Sequence, residues 1–191
     1  YLLATIFYGA SSHDAFVMRP EYVNRDECNW LPTVTCNLAG EVTDINLANQ
    51  IMKLDGTISS EIGNLPWLQT LDLAENTLRG SIPEAIYTLT NLTGLYLHNN
   101  EMTGTISSSI ENLNLLENLY LNHNQLSGTI PREFRSRDLI KPMRKLYLGS
   151  NKLTGPFPES LRLRDLFLLD LSFNQLTGTI PEDFPRTAVN L

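Results

Sequence analysis

The triplet Leu-x-Leu, followed shortly by Asn, recurs through most of the chain. It appears as Leu71-Asp72-Leu73 with Asn76, Leu95-Tyr96-Leu97 with Asn100 and Leu119-Tyr120-Leu121 with Asn124. Leu146-Tyr147-Leu148 with Asn151 and Leu169-Asp170-Leu171 with Asn174 complete the series. The Asn positions step by 24, 24, 27 and 23 residues, and a Gly follows each by four: Gly80, Gly104, Gly128, Gly155 and Gly178. Gly56 lies 24 residues before Gly80, so Ile45-Asn46-Leu47 heads a sixth, irregular unit with about two extra residues. A fixed period in this range predicts a solenoid. Within each unit Leu-x-Leu predicts a short strand with its Leu side chains inward, and successive strands stack in parallel about 4.8 Å apart. The Asn carboxamide both donates and accepts, so it suits backbone groups enclosed where the chain turns off the strand. Stacked copies then give a ladder of Asn76, Asn100, Asn124, Asn151 and Asn174. The next apolar residue (Leu78, Met102, Leu126, Leu153, Leu176) fills the core. Ile82-Pro83, Ile130-Pro131 and Ile180-Pro181 open the return, where Pro needs no amide partner. One unit cannot bury its own face, so several must stack.

The 191 residues include 33 Leu and 18 Asn, a joint excess that fits the repeat better than an ordinary enzyme core. At 42% hydrophobic and 18% charged there is material for a core. The net charge of −7 and pI near 4.9 disfavour phosphate backbones, so no nucleic-acid partner is expected. No apolar run approaches the ~20 residues of a membrane helix, so no span is expected in this segment. The chain begins at Tyr1 and not at Met, which reads as an incomplete chain whose leader, if any, is out of view. Tyr1–Ala10 is apolar without a basic flank and reads as a short helix packed on the next element.

The unit resembles the plant-type leucine-rich repeat, with similar repeats in algal proteins. Residues 92–106 follow that consensus almost position for position, and the resemblance runs from about Glu27 to Phe184. Cys28-Asn29-Trp30, Val34-Thr35-Cys36 and Gly40-Glu41-Val42 resemble the Cys-Trp-Cys N-terminal cap of that family, with Thr33 where a Gly is usual. The resemblance implies an α/β chain: a right-handed leucine-rich-repeat solenoid, with a parallel β-sheet on the concave face and loops and short 3-10 or helical turns on the convex face. Handedness follows the parallel-crossover rule. The expected organisation is a helical, disulfide-bearing cap at 1–41, about six repeats of 23–27 residues at 42–184, and an irregular tail at 185–191. A Cys28–Cys36 disulfide is implied by the family; two free thiols in a reducing compartment are the alternative. A disulfide would place the chain in an oxidising, secreted or cell-surface setting. Asn91-Leu92-Thr93 is the single N-x-S/T sequon, making Asn91 the candidate glycosylation site. The unit between Pro131 and Met143 is about three residues too long and carries Arg132, Arg135, Arg137, Lys141 and Arg144. The next unit, at Leu161–Leu169, is one residue short, and the pattern fails after Phe184. The tail therefore caps loosely, or further chain or a partner follows.

No phosphate loop, metalloprotease helix or nucleophile elbow is present, and His13, His98 and His123 form no recognisable acid–base set. No catalytic residue, metal or cofactor is expected. The outward positions are more informative. The residues between paired Leu read Asn46, Asp72, Tyr96, Tyr120, Tyr147, Asp170, and the next outward column reads Ala48, Ala74, His98, Asn122, Gly149, Ser172. A third column, also read as outward, is Asn49, Glu75, Asn99, His123, Ser150, Phe173. Three Tyr side by side suit protein or peptide contact, with Asp72, His98, Asn122 and Asp170 flanking them. The plainer alternative is lateral filler on a sheet. Thr57, Ser81, Thr105, Thr129 and Thr179 form a hydroxyl column that could order water as ice-binding solenoids do, or is simply the preferred residue of the repeat. The expected function is non-enzymatic protein or peptide recognition on the concave face, secreted or at the extracellular face of the cell surface. The alternatives are a structural subunit or spacer in a larger assembly, and, by the resemblance, an inhibitor of a secreted wall-degrading enzyme.

Overall fold

A computed structural model describes residues 28, 33–49, 53–134, 143–157, 166–179 and 189–190. The readings at Tyr1–Ala10, His13, Trp30, Arg135, Arg137, Lys141 and Ile180-Pro181 lie outside them, as do 158–165 and all of 180–191 except 189–190.

One sheet runs the length of the molecule. Its eight strands, in spatial order, are Val34–Cys36, Val42–Asn46, Thr70–Asp72, Gly94–Tyr96, Asn118–Tyr120, Lys145–Tyr147, Leu168–Asp170 and Val189–Asn190. The first pair is antiparallel and every later pair is parallel. Register places Ile45, Leu71, Leu95, Leu119, Leu146 and Leu169 in one row, all essentially inaccessible. The tail is not irregular throughout: Val189–Asn190 pair in parallel with Leu169 and Asp170 and extend the sheet.

Two smaller sheets were not foreseen. Ser127–Thr129, Lys152–Pro156 and Gln175–Thr177 pair in parallel, Asp55–Gly56 pair with Thr77–Leu78, and Thr105 bridges to Ser127. The segment after each ladder Asn is thus extended, and its hydroxyl column has a packing job. At Gly128 φ is +77°, and a Cβ there would lie 2.8 Å from the Thr105 methyl. The Gly accordingly meets two demands at once, a left-handed backbone and room for the Thr of the preceding turn.

The returns carry 3-10 helices at Ser60–Asn64, Glu84–Thr88, Ser108–Asn112 and Arg132–Phe134; no α-helix occurs among the described residues. Ser59 and Ser107 cap two of them by accepting from Glu61 N and Ser109 N. Each return buries an apolar residue, including Ile62, Ile86, Ile110 and Phe134. Tyr87 is also buried; its hydroxyl accepts from Ser107 N at 3.3 Å, and burial pushes its pKa from 10.0 up to about 12. Because the folded chain resists ionising this phenol, its stabilising contribution is complete below pH 10 and is lost as pH rises from 10 towards 12. Thermal melts across that window should fall more steeply for wild type than for Tyr87→Phe; equal slopes would count against the assignment.

The ladder side chains Asn76, Asn100, Asn124 and Asn151 are buried, and Asn174 at the far end is half-buried. Asn100 shows the pattern. Its Nδ2 donates to Leu97 O at 3.1 Å and to Leu73 O of the preceding turn at 3.0 Å, while its Oδ1 accepts from Leu78 N at 2.9 Å. Each Asn therefore ties two successive turns together.

At the N-terminal end Cys28 and Cys36 form a disulfide, with Cα atoms 5.6 Å apart. Closing so short a loop contributes roughly 2–3 kcal/mol through the unfolded ensemble. Reduction should lower the melting temperature, and a Cys28→Ser/Cys36→Ser variant should show the same fall without reductant; alkylation of both thiols in untreated protein would overturn the bond.

Candidate functional site

Strand pairing alone brings the Tyr together. Because the register matches Tyr96 to Tyr120 and Tyr120 to Tyr147, the three side chains stand on neighbouring strands of the long sheet's outer face. The Tyr96 and Tyr120 rings are tilted by 40° with centroids 5.1 Å apart; Tyr120 and Tyr147 stack at 4.4 Å and 24°. The His98 ring lies 5.6 Å from Tyr120. All three Tyr are half-buried. Burial raises each phenol pKa; Asp72 reinforces this at Tyr96, while at Tyr120 a hydrogen bond with Tyr147 acts the other way. The His98 pKa falls below 6.5 through burial, against the pull of Asp72 and Glu75. At neutral pH the stripe is uncharged.

Asp72 and Asp170 bracket the stripe, paired in register with Tyr96 and Tyr147 respectively. Each also holds its own turn: Asp72 Oδ1 accepts from Ala74 N at 3.1 Å, and Asp170 Oδ1 accepts from Ser172 N at 3.0 Å and Ser172 Oγ at 2.6 Å. Asn46 does the same with Ala48 N, so the acceptor, and not the charge, serves the fold.

Two polar atoms on this face are enclosed without a hydrogen-bond partner among the described residues, His98 Nδ1 and Asn122 Oδ1. A buried polar atom left unpaired costs about 1–3 kcal/mol.

Gly94 is a positioning residue that the repeat pattern did not single out. A Cβ there would lie 2.7 Å from Tyr96 Cε2, so the ring folds back over its own strand only because position 94 has no side chain. Gly149 plays the equivalent part for Asp170, whose carboxylate would be within 2.9 Å of a Cβ at that position. The signal available in the sequence was a lone Gly beside an aromatic in a strand.

The third outward column is corrected. Asn49, Glu75, Asn99, His123, Ser150 and Phe173 all have φ between 49° and 57°, and so leave the sheet in a left-handed turn. After Glu75, Asn99, His123, Ser150 and Phe173 the next residue is the inward ladder Asn, which the left-handed turn delivers to the interior. His123 is exposed on that turn, apart from the stripe. Among the described residues no three His, Cys, Asp or Glu side chains converge as a metal would require.

The Asn91 sequon lies in a return. Asn91 Nδ2 donates to Pro66 O at 2.8 Å, and Thr93 Oγ1 donates to Gln69 O at 3.0 Å. Among the described residues no helix is long and apolar enough to cross a membrane.

Family models described as "Leucine rich repeat" match residues 66–126, 143–163 and 165–186, more than half of the chain. The LRR receptor-like serine/threonine-protein kinase EFR of Arabidopsis thaliana is 45% identical over 58 residues, which are 30% of this chain and 5% of that protein. This chain thus spans about a twentieth of that curated relative. The crystal structure of PEPR1–AtPEP1 superposes with a TM-score of 0.80 at 34% identity, covering 95% of this chain and 25% of that one. The crystal structure of a plant ice-binding protein superposes with a TM-score of 0.77 at 28% identity, covering 98% of this chain and 58% of that one.

Proposed function

The chain belongs to the leucine-rich-repeat family, with plant-type repeats, and on that premise we propose that it is a non-enzymatic module binding a protein or peptide on the outer face of its long sheet. The observation that carries the reading is the stripe of Tyr96, Tyr120 and Tyr147, half-buried and mutually packed yet open to solvent, beside the unpartnered His98 Nδ1 and Asn122 Oδ1. Large rings with polar tips suit recognition because they bury much apolar area and still offer a hydrogen bond. PEPR1, which superposes over most of the chain, is crystallised with AtPEP1, and the Arabidopsis receptor kinase HAESA, also similar in structure, with the peptide hormone IDA. The setting is secreted or at the extracellular face of the cell surface, supported by the Cys28–Cys36 disulfide and by the Asn91-Leu92-Thr93 sequon. The test is retention of secreted proteins and peptides on the immobilised chain against the same chain carrying Tyr120→Ala. Binders lost with the variant support the reading, and identical retention sinks it.

A structural subunit or spacer, or an inhibitor of a wall-degrading enzyme, would use the same face or its rim; lateral contacts insensitive to Tyr120→Ala would favour the spacer. A second reading has an observation of its own. Thr57, Ser81, Thr105, Thr129 and Thr179 form an exposed hydroxyl column, and a plant ice-binding protein is among the similar structures. Against it, the Thr methyls already pack on the Gly of the next turn, and Pro156 interrupts the column. Thermal hysteresis in solutions of the chain would establish ice binding, and its absence would remove that reading.

A further inference from the structure

We propose that the ligand of the Tyr face is an extended basic peptide, laid along the stacking direction with Lys or Arg at both ends of the Tyr stripe; this rests on the recognition reading above. Asp72 and Asp170 stand one strand beyond Tyr96 and Tyr147, so the outer face reads carboxylate, three aromatic rings, carboxylate across five consecutive strands.

Neither aspartate is neutralised. The ion pairs among the described residues are Arg79 with Asp55 and Glu101, Arg132 with Glu133 and Arg144 with Glu117, and none engages Asp44, Asp72 or Asp170. Lys145, in register with Asn118 and Leu168, is the cation on this part of the sheet. Lys53 lies at the margin, donating to Asn49 Oδ1 and Glu75 O. Asp72 acts electrostatically on Tyr96 and His98, and Asp170 acts on Tyr147, where Lys145 opposes it.

A Lys or Arg resting on a Tyr face gains from the ring quadrupole and can reach a carboxylate beyond it. An acidic peptide would meet repulsion at both ends. Asp72 and Asp170 are four strand steps apart, roughly 19 Å at about 4.8 Å per step. An extended chain covers that in about six residues, which sets the spacing of the two basic side chains. A sugar would also stack on the rings, but it gives the flanking aspartates no countercharge.

The test is selection of random peptides of roughly 12 residues on the immobilised 191-residue chain, followed by titration of the most enriched peptide, made synthetically. Lys and Arg should be enriched over Asp and Glu. Affinity should fall at least about tenfold in an Asp72→Asn/Asp170→Asn variant and weaken with added salt. Those substitutions keep the Oδ1 acceptor that Asn46 already provides at the same column, so the fold is retained, and an unchanged melt verifies this. Neutral or acidic peptides that bind and are lost on Tyr120→Ala would overturn the basic-peptide assignment while leaving recognition by this face intact. Binders indifferent to Tyr120→Ala, or no enrichment at all, would overturn both.

Discussion

Asn124→Ala is expected to cost about 2–5 kcal/mol of stability, far more than its modest loss of volume implies. In the fold Asn124 Nδ2 donates to Leu121 O at 3.1 Å and to Leu97 O of the preceding turn at 2.9 Å, and Oδ1 accepts from Met102 N at 2.9 Å. Removing the carboxamide strands a buried N–H at Met102 and weakens two enclosed carbonyls, in a place too tightly packed to admit bulk solvent. Each buried group left unpaired costs about 1–3 kcal/mol, and here at least two are affected. The loss also falls on the junction between turns, the coupling that holds a stack of individually unstable units together. Urea melts of Asn124→Ala against Asn112→Ala, an exposed Asn on a return, measure the difference. A ladder variant no less stable than that control would contradict the hydrogen-bond pattern.

Most of the long sheet was legible because its requirements recur at fixed spacing. Only an apolar residue fits the row of Leu71, Leu95, Leu119, Leu146 and Leu169, and only a short side chain that both donates and accepts meets the geometry at Asn100, so both positions repeat visibly. The two smaller sheets left no such trace. Their strands are two to five residues long and rich in Thr, Ser and Gly, a composition that also describes a loop. The left-handed residues were misread for a related reason: Glu75 and Phe173 are poor candidates for positive φ, and only the inward demand of the following Asn forces them into it, at roughly 1–2 kcal/mol each.

On the outer face, alternation alone placed Tyr96, Tyr120 and Tyr147 side by side, because a residue between two inward Leu must point out. What alternation could not give was ring orientation. The fold of Tyr96 over Gly94 depends on a missing side chain two residues away, and the closer stacking of Tyr120 on Tyr147 depends on a neighbour 27 residues away. The outer columns carry mixed residue types from unit to unit, so the repeat does not predict them. The properties that make the scaffold readable are therefore absent from the positions that carry specificity.

Tyr120→Ala is expected to weaken partner binding by about 2–4 kcal/mol, upwards of roughly thirtyfold, while leaving the melt nearly unchanged. Tyr120 is the middle ring, in contact with Tyr96, Tyr147 and His98, so its loss removes one contact surface and frees the other three rings to move. The backbone has no comparable stake in the ring, for Leu119 and Leu121 on either side carry the burial. Tyr120→Phe separates the two contributions: if apolar stacking dominates, Phe restores most of the affinity, and if the hydroxyl network dominates it restores little. Titration of all three forms against one captured partner makes the comparison. Should Tyr120→Ala bind as wild type does while charge reversal at Arg132, or at Arg135 or Arg137 of the long unit, abolishes binding, the contact belongs to that basic segment and the stripe is lateral packing of the sheet.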